Sequence, residues 1–252
     1  MAIDLLKKKV GIVLAKRKLE KVVCEVKAAF DISGSMEHMY NNGTVQNLTD
    51  RLLAVATKFD DNGELEAWTF SSRFNRAPLI VESTHEGYVK EQILNNPEID
   101  KWGGTYYAPV MDDIISQYTV EETEVETVVE TKAPLWKRML GQKTVSTVET
   151  SVVHAPKSAE HPAFVIIQTD GENADPNETE VIFKRQGDKK IFWQFICVGN
   201  SSFHWVERMS QKYPNVGFQK FKTLEGASDE DFYEKLIDEK FTKWVSVING
   251  GK

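Results

Sequence analysis

The apolar positions of this chain alternate between two rhythms. Short apolar stretches rich in β-branched and aromatic residues occur at residues 22–30, 64–70, 77–81, 163–168, 191–198 and 216–221. Between them, apolar residues recur at spacings of three and four, as in Val45, Leu48, Leu52, Val55 and Phe59. The first rhythm predicts buried strands and the second predicts amphipathic helices. Further helices are expected over residues 86–94, from Pro109 to Tyr118, around Val181–Ile182–Phe183, and over 205–213. A last helix begins at Ser228 and carries Phe232, Leu236, Phe241, Trp244 and Ile248. Thr44 is the expected N-cap of the helix that follows it. Residues 1–20 fit helix and strand equally well and stay open.

Strands that alternate with helices give a parallel-rich sheet covered on both faces. The stretch 163–168, Ala-Phe-Val-Ile-Ile-Gln, is apolar on both faces, as a central parallel strand requires. The stretches 64–70 and 77–81 lie too close together for a crossover, so one strand should be antiparallel. Residues 119–160 break the rhythm. Two Val/Thr/Glu-rich stretches flank Trp136, Lys137 and Arg138, a pattern that predicts an inserted β-ribbon with a basic, apolar tip.

Composition narrows the class. The chain has 252 residues, 41% hydrophobic and 27% charged, with a formal net charge of −7. One large α/β domain accommodates this. An acidic chain lacks the basic footprint of a nucleic-acid binder, so no nucleic-acid partner is expected. No apolar run is long enough to span a membrane. The two cysteines, Cys24 and Cys197, sit inside apolar runs and read as buried free thiols. With no signal-peptide pattern at the start, a cytoplasmic location is expected.

The candidate chemistry lies where strands end. Residues 22–30 run into Asp31-Ile-Ser33-Gly-Ser35, which offers hard oxygens at alternate positions. A glycine-rich loop, Gly103-Gly104-Thr105, opens the helix after Pro109, and Asp170 ends the central strand. Open α/β sheets place ligands along that edge. Glu172 and Asp175 read as a solvated acidic loop. His38, His85, His154, His161 and His204 lack metal-ligand spacing and read mostly as surface residues.

Together, Asp31, Ser33, Ser35, Thr105 and Asp170 resemble the metal-ion-dependent adhesion site of von Willebrand factor A (vWA) domains. Tyr40-x-x-Gly43-Thr44-Val45-Gln46, Phe59-Asp60-Asp61-x-Gly63-Glu64 and Gly104-Thr105-x-Tyr107-x-Pro109-Val110 resemble the bacterial TerF-like group associated with tellurium resistance. The resemblance covers about residues 22–250, with residues 1–21 as an N-terminal extension and the insertion at about 119–160. It implies a Rossmann-like α/β fold. Its mostly parallel six-stranded sheet would have one antiparallel edge strand and helices on both faces. It implies Mg²⁺ at the five residues, with Mn²⁺ or Ca²⁺ as alternatives. It also implies a protein partner that supplies a Glu or Asp carboxylate to the metal, and no enzymatic activity. In some related domains partner engagement shifts the last helix, here the face around Phe232, Leu236 and Phe241.

Two other functions stay open. A metal-dependent phosphohydrolase would use Asp31 as nucleophile, but such enzymes usually carry a second Asp where this chain has Ser33. A structural component would act through the 119–160 ribbon.

Overall fold

The computed structural model describes residues 3–60, 62–118, 121–132, 144–155, 161–186 and 190–249, with side chains outside the stretches 121–132 and 144–155. In chain order the elements are α1 (Ile3–Arg17), β1 (Glu25–Asp31), α2 (Glu37–Asn41), α3 (Thr44–Phe59), β2 (Leu65–Phe70), β3 (Phe74–Ile80) and α4 (Ala108–Ser116). After these come β4 (Glu121–Lys132), β5 (Thr144–Ala155), β6 (Ala163–Thr169), α5 (Pro176–Arg185), β7 (Ile191–Val198), α6 (His204–Lys212), β8 (Val216–Phe221), α7 (Asp229–Leu236) and α8 (Glu239–Ile248).

A six-stranded sheet has the order β3-β2-β1-β6-β7-β8. All its pairings are parallel except β2–β3, the hairpin at one edge. The chain therefore leaves β1 in one direction toward β2 and β3, then restarts at β6 and runs the other way. The boundary between β1 and β6 is the switch point, where helices on either side diverge and leave a crevice at the strand C-termini. Asp31 ends β1, and Thr169 and Asp170 end β6, so the candidate residues sit on both banks of that crevice.

Two aromatic layers hold the helices to the sheet. On one face Phe164 and Phe192 are register neighbours, and Phe241 of α8 lies 4.2 and 5.2 Å from their rings. Phe59 at the end of α3 joins them at 5.7 Å from Phe241. On the other face Trp193 and Phe195 meet Phe183, Trp205 and Tyr107. Alternate residues of β7 thus feed opposite layers, which is why that strand reads as apolar on both faces apart from Gln194.

The structure settles or revises several sequence expectations. The open N-terminal segment is helix α1, which buries Leu6, Val10, Val13 and Leu14 and packs on α3 and α7. Thr44 is not the N-cap of α3. Gly43 takes that place at φ +85, and the Thr44 hydroxyl turns to Asn42 Oδ1 at 2.7 Å and to Glu225, a distant residue no local pattern reveals. Residues 86–94 hold only a π-helical turn, Val89–Leu94. The expected last helix is two helices. Ser228 caps α7 by accepting from the Asp231 N–H at 3.2 Å, and Asp238 starts α8 anew by accepting from the Phe241 N–H at 2.8 Å. An Asp in mid-pattern offers such a cap and competes with helix continuation. Cys24 and Cys197 are buried free thiols.

Residues 116–159 form a separate unit. In it β4 and β5 pair antiparallel, from Glu121 opposite Ala155 to Lys132 opposite Thr144. Trp136, Lys137 and Arg138 lie outside the described residues.

Candidate metal centre

Asp31 is fully buried at the end of β1. Its Oδ1 accepts the Ser33 N–H at 2.8 Å, an Asx turn that curls the chain back over the strand end. Its Oδ2 accepts the Thr169 hydroxyl of the neighbouring strand at 2.6 Å. The carboxylate thereby spans the switch point. Burial pushes its pKa up to about 6, against the opposing pull of the bonds from Thr169 and Ser33.

The serines complete the bridge. Ser35 Oγ donates to Asp170 Oδ1 at 2.7 Å, and the Ser33 and Ser35 hydroxyls lie 3.3 Å apart. Burial also raises the pKa of Asp170, with the Ser35 bond opposing it. Asp31, Ser33, Ser35 and Asp170 are therefore joined by one chain of polar contacts.

Thr105 reaches the same edge on its loop. The Trp102 N–H bonds to Ile32 O at 2.7 Å, the Gly34 N–H to Gly103 O at 3.1 Å, and the Ala174 N–H to Thr105 O at 2.8 Å. A Cβ on Gly171 would lie 3.4 Å from the Thr105 hydroxyl, which places that oxygen beside the turn after Asp170.

The glycines of this loop answer to close packing. A Cβ on Gly103 would come within 2.5 Å of Ser72 Oγ and 3.0 Å of the Ser72 backbone nitrogen. Gly103→Ala should therefore push the loop off Ser72, in the turn after β2, and destabilise the protein by about 1–3 kcal/mol, the usual cost of overpacking. Urea unfolding would check this, and a variant as stable as wild type would refute the tight fit.

Sequence reasoning missed two residues that build the site. Thr169 looked like a strand-end residue, yet its hydroxyl also takes the Tyr107 O–H at 3.2 Å. Asp175 is buried, not solvated. Its two oxygens accept the Tyr107 and Ala108 N–H groups, each at 2.9 Å, and so cap α4 from a distant loop. Burial pushes its pKa up while those bonds oppose. The Asp directly before Pro176 signals only the helix that starts there, for which its side chain makes no cap bond, and not its role at α4. Glu172 accepts the His204 N–H at 3.1 Å. Among the histidines, His85 departs from the surface expectation: it is buried, with Nδ1 2.9 Å from Asp50. His38 is exposed and places Nδ1 2.9 Å from Ser35 O.

The family model vWA-TerF-like, described as "vWA found in TerF C terminus", matches residues 23–130 and 125–250. The chain belongs to the TerF-like vWA family. It is 34% identical over 247 residues to YcbR of Bacillus subtilis (strain 168), a protein named as uncharacterized; the match covers 96% of this chain and 86% of YcbR. Among solved structures it resembles proximal thread matrix protein 1 of the mussel byssus (TM-score 0.51, 12% identity, 86% of this chain and 47% of that one). It also resembles a von Willebrand factor type A protein from Catenulispora acidiphila (TM-score 0.50, 8% identity, 87% and 43%). This chain thus spans less than half the length of those two solved structures, and the likeness shows the fold.

The donor set of this vWA domain fits a hard divalent cation. Among the described residues no three His, Cys, Asp or Glu side chains cluster to hold a metal. A metal at this edge would instead meet two carboxylates and neutral hydroxyls, all oxygen, the set that suits Mg²⁺. Ser35 Oγ now spends its proton on Asp170 and Ser33 Oγ leans on Ser35, so the oxygens already converge. No described helix is long and apolar enough to cross a membrane.

Proposed function

We propose that this vWA domain is a metal-dependent adhesion module. Asp31, Ser33, Ser35, Thr105 and Asp170 hold a divalent cation, Mg²⁺ in the first instance, with Mn²⁺ or Ca²⁺ as substitutes. A protein partner supplies a Glu or Asp carboxylate to complete the site. The observation that carries this reading is the Ser35–Asp170 hydrogen bond, which brings hydroxyl and carboxylate oxygens from both banks of the switch point together.

When bound, the cation supplies a Lewis-acidic position for the partner's carboxylate. The chain's own residues make that position selective. Asp31, held by Thr169 and Ser33, fixes the turn that aims both serine hydroxyls. Asp170 orients Ser35 and balances charge. Because the hydroxyls are neutral, much of the ion's charge is left for the incoming carboxylate.

The module binds and does not turn over substrate. Two residues after Asp31, where a phosphohydrolase would carry its acid, stands Ser33, whose hydroxyl rests 3.3 Å from that of Ser35. The family name connects the group to tellurium resistance, and a cytoplasmic role in a bacterial or phage stress response is part of this proposal.

Calorimetric titration with Mg²⁺ or Mn²⁺ tests it. Wild type should bind one ion, and Asp31→Ala and Asp170→Ala should each lose about 10- to 100-fold in affinity or more while keeping the far-ultraviolet circular dichroism of wild type. Unchanged affinity in both variants would overturn the proposal.

A further inference from the structure

Beside the candidate metal centre lies a cleft of about 680 Å³, a size usual for ligand sites. Tyr40, Val89, Leu94 and Trp102 give it apolar walls, and Lys90 and Lys101 line it as well. The cleft adjoins the site through the chain itself. Trp102 is tied to Ile32, directly after Asp31, and the neighbouring Gly103 carbonyl takes the Gly34 N–H. Trp102 stands at φ +67, in the left-handed region that a residue with a Cβ seldom adopts, and its ring meets Tyr40 edge-on at 5.7 Å.

Charge in the cleft is out of balance. The chain carries a net charge of −7, and Lys7, Lys9, Lys16 and Lys27 each meet a carboxylate. Among the described residues neither Lys90 nor Lys101 has a carboxylate within ion-pair distance. Lys101 Nζ donates instead to the Asn96 and Ile99 carbonyls, which fix the ammonium in place without neutralising it and leave one N–H over. Lys90 is exposed. Glu37 is the single acid among the residues that line the cleft. The Tyr40 hydroxyl is buried and meets no hydrogen-bond partner among the described residues.

We infer that this cleft receives an acidic segment of the protein partner, with an apolar side chain against Trp102 and Tyr40 and a second carboxylate at Lys90 and Lys101. The inference rests on the metal-centre reading above, because this segment is the one that carries the metal-directed carboxylate. Trp102 of the cleft and Thr105 of the metal centre stand three residues apart on one loop, a span within reach of a single extended peptide. Joining them on one segment makes the second contact intramolecular and strengthens the whole. An acidic segment is favoured by the two unneutralised lysines, and an aromatic or aliphatic side chain by the exposed flank of Trp102.

Selection from a displayed random-peptide library with one fixed Glu, on the full chain in Mg²⁺, tests this. Wild type should enrich peptides with a second acidic residue next to an apolar one. Lys90→Glu alters an exposed side chain and should leave the fold intact. It should weaken a selected peptide about fivefold, in line with a screened charge pair, and should select a basic residue in place of the second acid. Lys101→Gln should weaken the same peptide in the same direction. A pool of unchanged composition and affinity on Lys90→Glu would overturn the cleft inference while leaving the metal reading intact. A pool that keeps its acidic preference in chelator and on Asp31→Ala would instead support the cleft and overturn the metal reading. Failure to enrich any peptide on wild type would overturn the cleft inference.

Discussion

Replacing Asp31 by Asn is expected to stabilise the metal-free protein at pH 8 by about 3 kcal/mol, the equivalent of a carboxyl pushed roughly two pH units above its ordinary value. The reasoning starts from burial. Asp31 is fully enclosed, and burial pushes its pKa up to about 6 from an ordinary 3.8. Below the ordinary value the carboxyl is protonated both folded and unfolded, and it costs nothing. As pH rises, the unfolded chain ionises first while the folded chain holds its proton, so stability falls until pH passes about 6. Asn has no proton to lose, so the difference between variant and wild type should open between pH 4 and 7 and close again in acid. Denaturant unfolding at pH 4 and pH 8 in chelator measures it; an Asn variant no more stable at pH 8 than wild type would refute it. Asp170 and Asp175, also raised by burial, add slope in the same direction to both proteins.

The same carboxylate that weakens the metal-free fold is the reason a cation should strengthen it. A ligand at a hundred times its dissociation constant stabilises by about 2.7 kcal/mol, close to the electrostatic cost of ionised Asp31. Mg²⁺ should therefore raise the melting temperature of wild type at pH 8 and leave Asp31→Asn unmoved. At pH 8 an ionised Asp31 would be a buried charge held by the Thr169 and Ser33 bonds at the switch point, and the proposed function gives that charge a use.

Much of this was legible in the sequence, and the limits have physical causes. Strands β1, β6 and β7 are buried on both faces, so their apolar runs declare them. The positions of Asp31, Ser33, Ser35 and Asp170 followed, because a strand's end fixes where its next residues point. The supporting residues were hidden because their partners are distant in sequence. Nothing near Asp175 shows that it caps a helix beginning at Ala108, and nothing near Thr169 shows that it bonds to Asp31. Helix α1 stayed ambiguous because its buried stripe of Leu6, Val10, Val13 and Leu14 is interleaved with Ile3, Leu5 and Ile12, which blurs the helical period. The break between α7 and α8 was missed because the apolar spacing runs on past it, while Asp238 caps the second helix.

Arg51→Ala is expected to cost about 3–5 kcal/mol, the range for removing one partner of a buried ion pair. Arg51 projects from the middle of α3, where its surroundings leave it 4% exposed. Its Nε donates to Asp229 Oδ1 at 2.9 Å, and its two terminal nitrogens reach the Leu224 and Ala227 carbonyls at 3.2 and 3.1 Å. The guanidinium also lies 5.0 Å over the Phe232 ring. Alanine would strand a buried carboxylate with only Lys9, 2.8 Å from its other oxygen, and would leave two carbonyls short of a donor. The planar guanidinium serves four groups at once, so Arg51→Lys should recover only part of the loss. Replacing Arg51 and Asp229 together by Met and Leu should cost far less than Arg51→Ala, since no charge is then left buried alone. Urea unfolding of the three variants decides it, and an Arg51→Ala loss under about 1 kcal/mol would mean that water already relieves this pair. The loop that Arg51 anchors also carries Glu225, which holds Asn42 and Thr44 at the start of α3. Loosening it should therefore fray the turn between α2 and α3. Metal affinity should stay near wild type, because the bonds that hold Asp31 and Ser35 run to Ser33 and to the end of β6 instead of to α3. Stability and metal binding should thus part company at Arg51, just as they move in opposite directions at Asp31.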